Sequence, residues 1–295
     1  MQRTPMMEAI RPDDQIHCRA MWISDVHLGS THSKAKQLLQ LLDRVHCDRL
    51  YLVGDIVDLL AMRRRVHWPQ AHNKVVRRLM KLSRRDVEVI YIPGNHDYAF
   101  RTLCNNALGN IKIRRNLVHE TLTGQRMLVT HGDELDYAVR YSKLNRIIGD
   151  IAYDTLMRLN RWVDKSREWL GKPYWSLAKW VKKNSAKAEQ AIDAYQLAAI
   201  NMAKDKGYDG IICGHLHYPT IRQQDGVLYC NDGDWVENCS ALIEDDAGNL
   251  RLIRGESHPE SIKRMIFIDA TDEFTKGMPV AAAHEPAMPT PTNHR

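Results

Sequence analysis

The sequence predicts an α/β fold with a long helical insertion, on three observations. Short apolar runs alternate with amphipathic stretches through the first half. The same strand grammar returns in the last third. Between the two lies a segment of helical periodicity throughout, which fits neither pattern of the flanks.

Taken in order, apolar runs at 20–24 and 50–53 are each followed by a predicted helix, over 34–45 and 73–82, and a third run follows at 87–92. Alternation of this kind indicates βαβ units with interior strands. Runs at 117–122 and 127–130 flank the turn signal Thr123-Gly124-Gln125. Residues 137–206 read as helix and carry Trp162, Trp169, Tyr174, Trp175 and Trp180; they are expected to form a cap inserted into the core. Strand runs return at 210–213, 220–224, 227–231 and 240–244, with turns at Asp225-Gly226 and Asp246-Ala247-Gly248-Asn249. The expected organisation is a catalytic core over 18–136 and 207–270, the insertion over 137–206, an N-terminal extension over 1–17, and a tail over 275–295. The tail is rich in Ala, Pro and Thr, has too little to bury, and is expected to be disordered.

With 42 Lys plus Arg against 36 Asp plus Glu, the formal charge is +6, which suits an anionic substrate or surface and equally an ordinary basic exterior. No apolar run approaches the ~20 residues needed to cross a bilayer, and the start MQRTPMMEAIRPDDQ lacks the apolar core of a secretory signal; a cytoplasmic protein is expected. The six cysteines form no CxxC pair, so reduced, mostly buried thiols are expected.

Each apolar run of the core ends in polar residues: SDVHLGS (Asp25, His27), VGDIVD (Asp55), PGNHD (Asn95, His96), THGDELD (His131) and CGHLHYP (His215, His217). Strand ends are where open α/β sheets place their sites. A period of two puts Asp25 and His27 on one side of an extended segment, within reach of one ion, and does the same for His215 and His217. The neighbouring Gly54, Gly94, Gly132 and Gly214 permit the tight turns that direct side chains inward. Imidazoles, carboxylates and one amide oxygen, without thiolate, call for two divalent ions, Mn²⁺ first, with Fe or Zn²⁺ as alternatives. A carboxylate such as Asp55 can bridge two cations ~3.5–4 Å apart, as two-metal phosphatases require. Each motif alone is weak; all five in this order, each after an apolar run, make coincidence improbable.

The order D-x-H, G-D, G-N-H-D, H-G-D, G-H-x-H, over residues 22–219, resembles the calcineurin-like metallophosphoesterases. The resemblance implies a four-layer αββα sandwich of mixed sheets. It implies one ion on Asp25, His27, Asp55 and His217, and the other on Asp55, Asn95, His131 and His215. His96 would then act at the leaving oxygen as proton donor or electrostatic stabiliser, a role open to an imidazole near neutrality; Asp55 and His96 are the expected catalytic residues. Within that superfamily the HGDELD continuation, the helical insertion and GDWVENCSALIE at 233–244 look like the UDP-2,3-diacylglucosamine diphosphatases of lipid A synthesis. That likeness implies hydrolysis of an acylated UDP-sugar to UMP and 2,3-diacylglucosamine 1-phosphate. The best-characterised branch carries Arg in the slot where this sequence has His96.

Arg63 and Arg64, with His67 and Trp68, lie just beyond the Asp55 motif and are candidates to clamp a phosphate or stack on uracil, against the alternative of solvated surface charge. Arg101, Asp136 and Tyr137 complete the substrate-binding candidates. Asp58 and Asp97, beside proposed ligands, are candidates for orienting His or Asn side chains. In the insertion, aromatics alternate with Arg167, Lys172, Lys179, Lys182 and Lys183, a mix suited to packing on the core, to acyl chains, or to peripheral contact with the cytoplasmic face of an inner membrane. The competing reading is a nuclease or nucleotide phosphodiesterase, since fold does not fix substrate. Basic residues interleaved with large apolar ones are unlike the extended basic groove of nucleic-acid binders, and no nucleic-acid partner is expected. Oligomeric state is not legible in the sequence.

Overall fold

The computed structural model describes residues 8–10, 14–84, 86–138, 186–258 and 261–269. The elements run β1 (Glu8–Ile10), β2 (Ile16–Ile23), α1 (Ala35–Leu42), β3 (Val45–Val53), α2 (Leu59–Arg64), α3 (Gln70–Leu82), β4 (Glu88–Ile92), β5 (Ala107–Leu108), β6 (Ile111–Ile113), β7 (Leu117–Glu120) and β8 (Arg126–Val129). They continue with α4 (Leu135–Ala138), α5 (Ala186–Asp205), β9 (Gly210–Cys213), β10 (Thr220–Gln224), β11 (Val227–Asn231), β12 (Ser240–Glu244), β13 (Leu250–His258) and β14 (Ser261–Asp269). A 3-10 turn, Tyr98–Leu103, follows β4.

One sheet has the strand order β1-β14-β13-β12-β2-β3-β4-β6-β5, the other β10-β11-β9-β8-β7. Both are mixed. The runs β2-β3-β4-β6 and β11-β9-β8 are parallel, and the strands beyond them pair antiparallel. Parallel strands are covered on both faces, and the near-continuous apolar ends of β2 and β3 show it: Ala20 to Ile23 and Leu50 to Val53 are all buried.

Three apolar cores separate four layers. The first lies between the large sheet and α1 and α3, whose buried residues recur at helical spacing: Leu38, Leu41 and Leu42 on α1, Val75, Leu79 and Leu82 on α3. The second lies between the sheets, around Trp22, Tyr51, Ile92, Val129, Ile212 and Leu242. The third lies between the small sheet and α5, through Tyr195, Ala199, Ile200 and Ala203 against Ile211, Cys213 and Tyr229. The fold is thus the αββα sandwich expected. Helix α5 falls in the range read as the insertion, and it packs on β9 and β11. The rest of that range, 139–185 with its four tryptophans, and the tail 275–295 lie outside the described residues. Strand β1 falls in the range read as an N-terminal extension and pairs with β14.

A polar network crosses the second core. Trp22 stacks on Tyr51 with ring centroids 5.1 Å apart and meets His119 edge-on. His119 Nδ1 lies 2.9 Å from the Tyr51 hydroxyl and its Nε2 lies 2.9 Å from Glu244 Oε2. Glu244 Oε1 accepts from Arg19 Nη1 at 2.6 Å and from Leu122 N at 2.7 Å. Among the described residues no helix is long and apolar enough to cross a membrane. All six cysteines are free thiols, and Cys18, Cys213, Cys230 and Cys239 are buried.

Candidate metal centre

Strands β2, β3 and β4 end at Ile23, Val53 and Ile92, and β8 and β9 at Val129 and Cys213, so the five motifs leave the two sheets at one edge of the sandwich. The loops after β2 and β3 run side by side: Asp25 N donates to Gly54 O at 3.0 Å, His27 N to Asp55 O at 2.9 Å and Leu28 N to Ile56 O at 2.9 Å. The geometry differs from the extended segment expected. Asp25, His27, Asp55, His215 and His217 all sit in the left-handed region, with φ of 51°, 50°, 53°, 64° and 51°. Non-glycine residues rarely adopt that conformation, which costs of order 1–3 kcal/mol each and persists where the surroundings over-determine it. Paired left-handed turns, rather than strand pleating, bring each DxH or HxH pair together.

The side chains converge about Asp55. Its Oδ1 accepts from His96 N at 2.8 Å, while its Oδ2 lies 3.9 Å from His27 Nε2 and 3.5 Å from His131 Nε2. On one side Asp25 Oδ1 lies 3.0 Å from His217 Nε2 and 3.8 Å from His27 Nε2. On the other, His131 Nε2 lies 3.2 Å from Asn95 Oδ1. Donors bound to one ion at 2.0–2.2 Å stand roughly 3–3.5 Å from one another, which is near the spacing of these atoms. Three groups could each hold an ion: Asp25, His27 and His217; His27, Asp55 and His96; and Asp55, His131 and His215. His27 Nε2 is buried and makes no hydrogen bond. A buried ring nitrogen that faces two carboxylates and makes no hydrogen bond within the protein has the setting of a metal ligand, so the residues fit a pair of divalent cations.

Electrostatics agree. Burial alone would raise the Asp25 and Asp55 carboxyls, but the imidazoles of His217 and His27 around the first, and of His131, His96 and His27 around the second, hold both well below the usual carboxylate range. Burial would lower His27 and His131, and the facing carboxylates Asp25 and Asp58, and Asp55, push them well above the usual imidazole range. His215 is likewise raised against its burial, by Asp136. A cation held here would compete with protons for these rings, because an imidazole ligates a metal in its neutral form.

Supporting residues fix the donors. Asp58 holds two rings at once, with Oδ2 3.0 Å from His27 Nδ1 and Oδ1 2.9 Å from His96 Nδ1, and Oδ1 also caps α2 at Ala61 N. This is the orienting role expected of it. Asp97 takes a different one: its carboxylate is buried and accepts from the backbone of Gly94, Ile56 and Val57 and from the Tyr91 hydroxyl, so it pins two loops to each other rather than orienting a histidine ring or an asparagine side chain. His131 Nδ1 is fixed 2.8 Å from Val53 O. Ser24 Oγ bonds Asp25 Oδ2 at 2.5 Å and the buried Asp232 Oδ1 at 2.6 Å. A Cβ at Gly94 would collide with Asp55 Oδ1 and His131 Nε2, so glycine serves there by its missing side chain, whereas Gly54 also needs its φ of 84°.

The candidate substrate residues are scattered. Arg63 and Arg64 are exposed on α2. His67 and Trp68 pack edge-on to His72, with centroids 5.9 and 5.3 Å away, and Trp68 Nε1 donates to Asn73 Oδ1 at 2.8 Å. Arg101 bonds Asp133 Oδ1 at 2.6 Å and Pro93 O at 3.2 Å, tying the GNHD loop to the HGD loop. Asp136 faces His215 Nε2 at 3.0 Å. Tyr137 is on α4, and its side chain lies outside the described residues. Sequence reasoning missed Ser24, Asp133 and Asp232; the first two adjoin ligand motifs, and the third opens the DGDW run.

A model of the calcineurin-like phosphoesterases matches residues 18–219. A UDP-2,3-diacylglucosamine hydrolase of Haemophilus influenzae (strain PittGG) is 23% identical over 256 residues, covering 79% of this chain and 98% of that one. Its counterpart in Pectobacterium carotovorum (strain PC1) is 27% identical over 250 residues, covering 79% and 97%. Among solved structures, vacuolar protein sorting 29 of Cryptosporidium parvum is 11% identical with a TM-score of 0.42, covering 85% of this chain and 97% of that one.

Proposed function

This chain belongs to the calcineurin-like phosphoesterase family and is a metal-dependent phosphoester hydrolase, and from that premise we propose that it cleaves the pyrophosphate of UDP-2,3-diacylglucosamine, giving UMP and 2,3-diacylglucosamine 1-phosphate. The observation that carries the reading is Asp55 Oδ2 standing between His27 Nε2 and His131 Nε2 at 3.9 and 3.5 Å. On this reading Asp55 would be the shared ligand, Asp25, His27 and His217 would hold one ion, and Asn95, His131 and His215 would hold the other. When bound, the ions supply Lewis acidity, lowering the pKa of water and neutralising charge on a phosphoryl group. His96, its Nδ1 held by Asp58, presents its other nitrogen as the proton donor to the leaving oxygen. Asp58 so couples the orientation of a ligand, His27, to that of the proton donor.

The substrate class rests on two relatives named for it that are covered almost end to end, 98% and 97%. The exposed Arg63 and Arg64 are proposed to meet the substrate's phosphates or uridine. Mn²⁺ is the proposed metal, on donors that lack thiolate. Purified protein with Mn²⁺, offered UDP-2,3-diacylglucosamine, bis-aryl phosphates and single-stranded DNA, should release UMP from the first. Turnover of DNA alone would overturn the proposal in favour of a nuclease.

A further inference from the structure

The segment from Gly233 to Glu244 lies between β11 and β13, and its first part closes over one side of the metal centre. Asp234 is fully buried, and its Oδ1 accepts from Val236 N at 2.8 Å, from Asn238 N at 3.2 Å and from Glu237 N. That bonding builds a tight turn with two outward contacts. Trp235 N donates to Asp25 O at 3.0 Å. Asn238 Nδ2 donates to His217 O at 3.2 Å and to Asp234 Oδ2. Arg254 Nη2, from β13, donates to Asn238 Oδ1 at 3.3 Å. With a cation on its oxygen side, the amide has its nitrogen committed to His217, so its orientation is fixed by chemistry. The turn is tied down behind as well: Lys34 N donates to Trp235 O at 2.7 Å and Lys34 Nζ to Glu237 O at 3.0 Å.

Two features single this turn out. Cys239, next to Asn238, is buried with φ of 50°, a conformation side chains adopt only where the surroundings impose it. Gly255 N then donates to Cys239 O at 2.9 Å and locks it. The second feature is asymmetry: among the described residues, the outward bonds of Trp235 and Asn238 go to the carbonyls of Asp25 and His217 themselves, and none goes to Asn95, His131 or His215, although His215 shares the His217 loop.

We propose that Asn238, oriented by Arg254, is a positioning residue that sets the affinity of one member of the ion pair, the ion on Asp25, His27, Asp55 and His217, and leaves its neighbour untouched. The inference rests on the dinuclear reading above. His217 sits in a left-handed turn, so the direction of its ring depends on where its peptide is held, and Asn238 holds the carbonyl of that peptide. Loss of the bond removes this restraint on the His217 peptide and lets the ring shift from the ligand position, while His131 stays held through Nδ1 by Val53 O and through its carbonyl by Gly214 N. Residues that orient ligands in this way typically change metal affinity 10–100-fold when removed.

The test is a calorimetric titration of the metal-free full chain with Mn²⁺, paired with metal content after desalting and with the electron paramagnetic resonance signal of the loaded protein. Wild type is expected to take up two ions and to show the signal of an interacting pair. Asn238→Ala is expected to bind one ion as wild type does and the other 10–100-fold more weakly, with a signal of isolated Mn²⁺ at one equivalent. Arg254→Met keeps Asn238 and removes the donor to its Oδ1, and should show the same selectivity at smaller size; it serves as the reading if the alanine variant does not fold. Asn95→Ala should lose the opposite ion, and the double variant both. Equal weakening of both ions in Asn238→Ala and Arg254→Met, or unchanged affinity in both, overturns the inference while wild type still binds its pair. A wild-type chain that takes up no pair sinks the dinuclear reading itself, and this inference with it.

Discussion

Two buried clusters of histidine and carboxylate occupy the same sandwich, and they differ in how completely they are satisfied. Between the sheets, His119 has both ring nitrogens at 2.9 Å from partners, Glu244 has both oxygens engaged, and the residues lie on ordinary strand backbone. At the sheet edge, five proposed ligands hold φ between 50° and 64°, and His27 Nε2 is buried without a hydrogen bond. A buried His–carboxylate pair is therefore no mark of a site. Backbone strain together with an unbonded donor is, because a fold tolerates both only where something else compensates.

The largest expected effect comes from breaking the second cluster at its centre. Asp55→Ala, or His131→Ala, should reduce hydrolysis of bis-aryl phosphates in Mn²⁺ by about 10³-fold or more, since the lost charge stabilisation is worth several kcal/mol. Near wild-type rates in either variant would erase the distinction drawn here. His96→Ala should be more selective, slowing substrates with poor leaving groups by about 10²-fold beyond its effect on activated aryl esters. An equal loss on both classes would remove the proton-donor role.

Smaller effects sharpen the contrast. Asp58→Ala frees the rings of His27 and His96 together, so Mn²⁺ affinity should fall about 10–100-fold and the leaving-group dependence of the rate should change with it. The inter-sheet cluster should respond in stability alone. Glu244→Gln should cost about 2 kcal/mol at neutral pH in denaturant melts and leave the kcat of the Mn²⁺ enzyme unchanged. Burial by itself would raise the Glu244 carboxyl, and the bonds from His119 and Leu122 N hold it below the ordinary carboxylate range. A depressed carboxyl contributes stability that is in place above its unfolded pKa and is lost as pH falls through the folded value. The gap between wild type and variant should accordingly close in the acid range and stay constant above it. A gap that widened toward low pH would reverse the assignment.

Much of this was readable in the chain. The apolar runs of β2, β3, β4, β8 and β9 and the polar motifs at their ends are local signals, and they located the edge where the donors meet. The alternation of elements indicated βαβ units, and the αββα layering was implied by the family resemblance alone. The left-handed turns were not readable, because DxH and HxH spacing serves an extended segment and a tight turn equally, and only the paired loops of β2 and β3 decide between them. Strands β5 and β6, of two and three residues, are too short to carry a period. The hairpin of β13 and β14 mixes charged and apolar residues in LRLIRGESH and SIKRMIFID and needed its partners to be seen as sheet. Asn238 and His217 stand 21 positions apart, and the bond between them exists only once the pairing of β9 with β11 has brought the β9–β10 loop beside the β11–β12 loop.

The central claim is that Asp55 is shared by two neighbouring divalent cations. Anomalous diffraction from crystals of the full chain grown with Mn²⁺, collected on both sides of the Mn absorption edge, tests it most directly. The account predicts two peaks about 3.5–4 Å apart flanking the Asp55 carboxylate, one toward Asp25 and His217, the other toward Asn95 and His131. A single peak, or none within bonding distance of Asp55 in a preparation that hydrolyses phosphoesters, would contradict it.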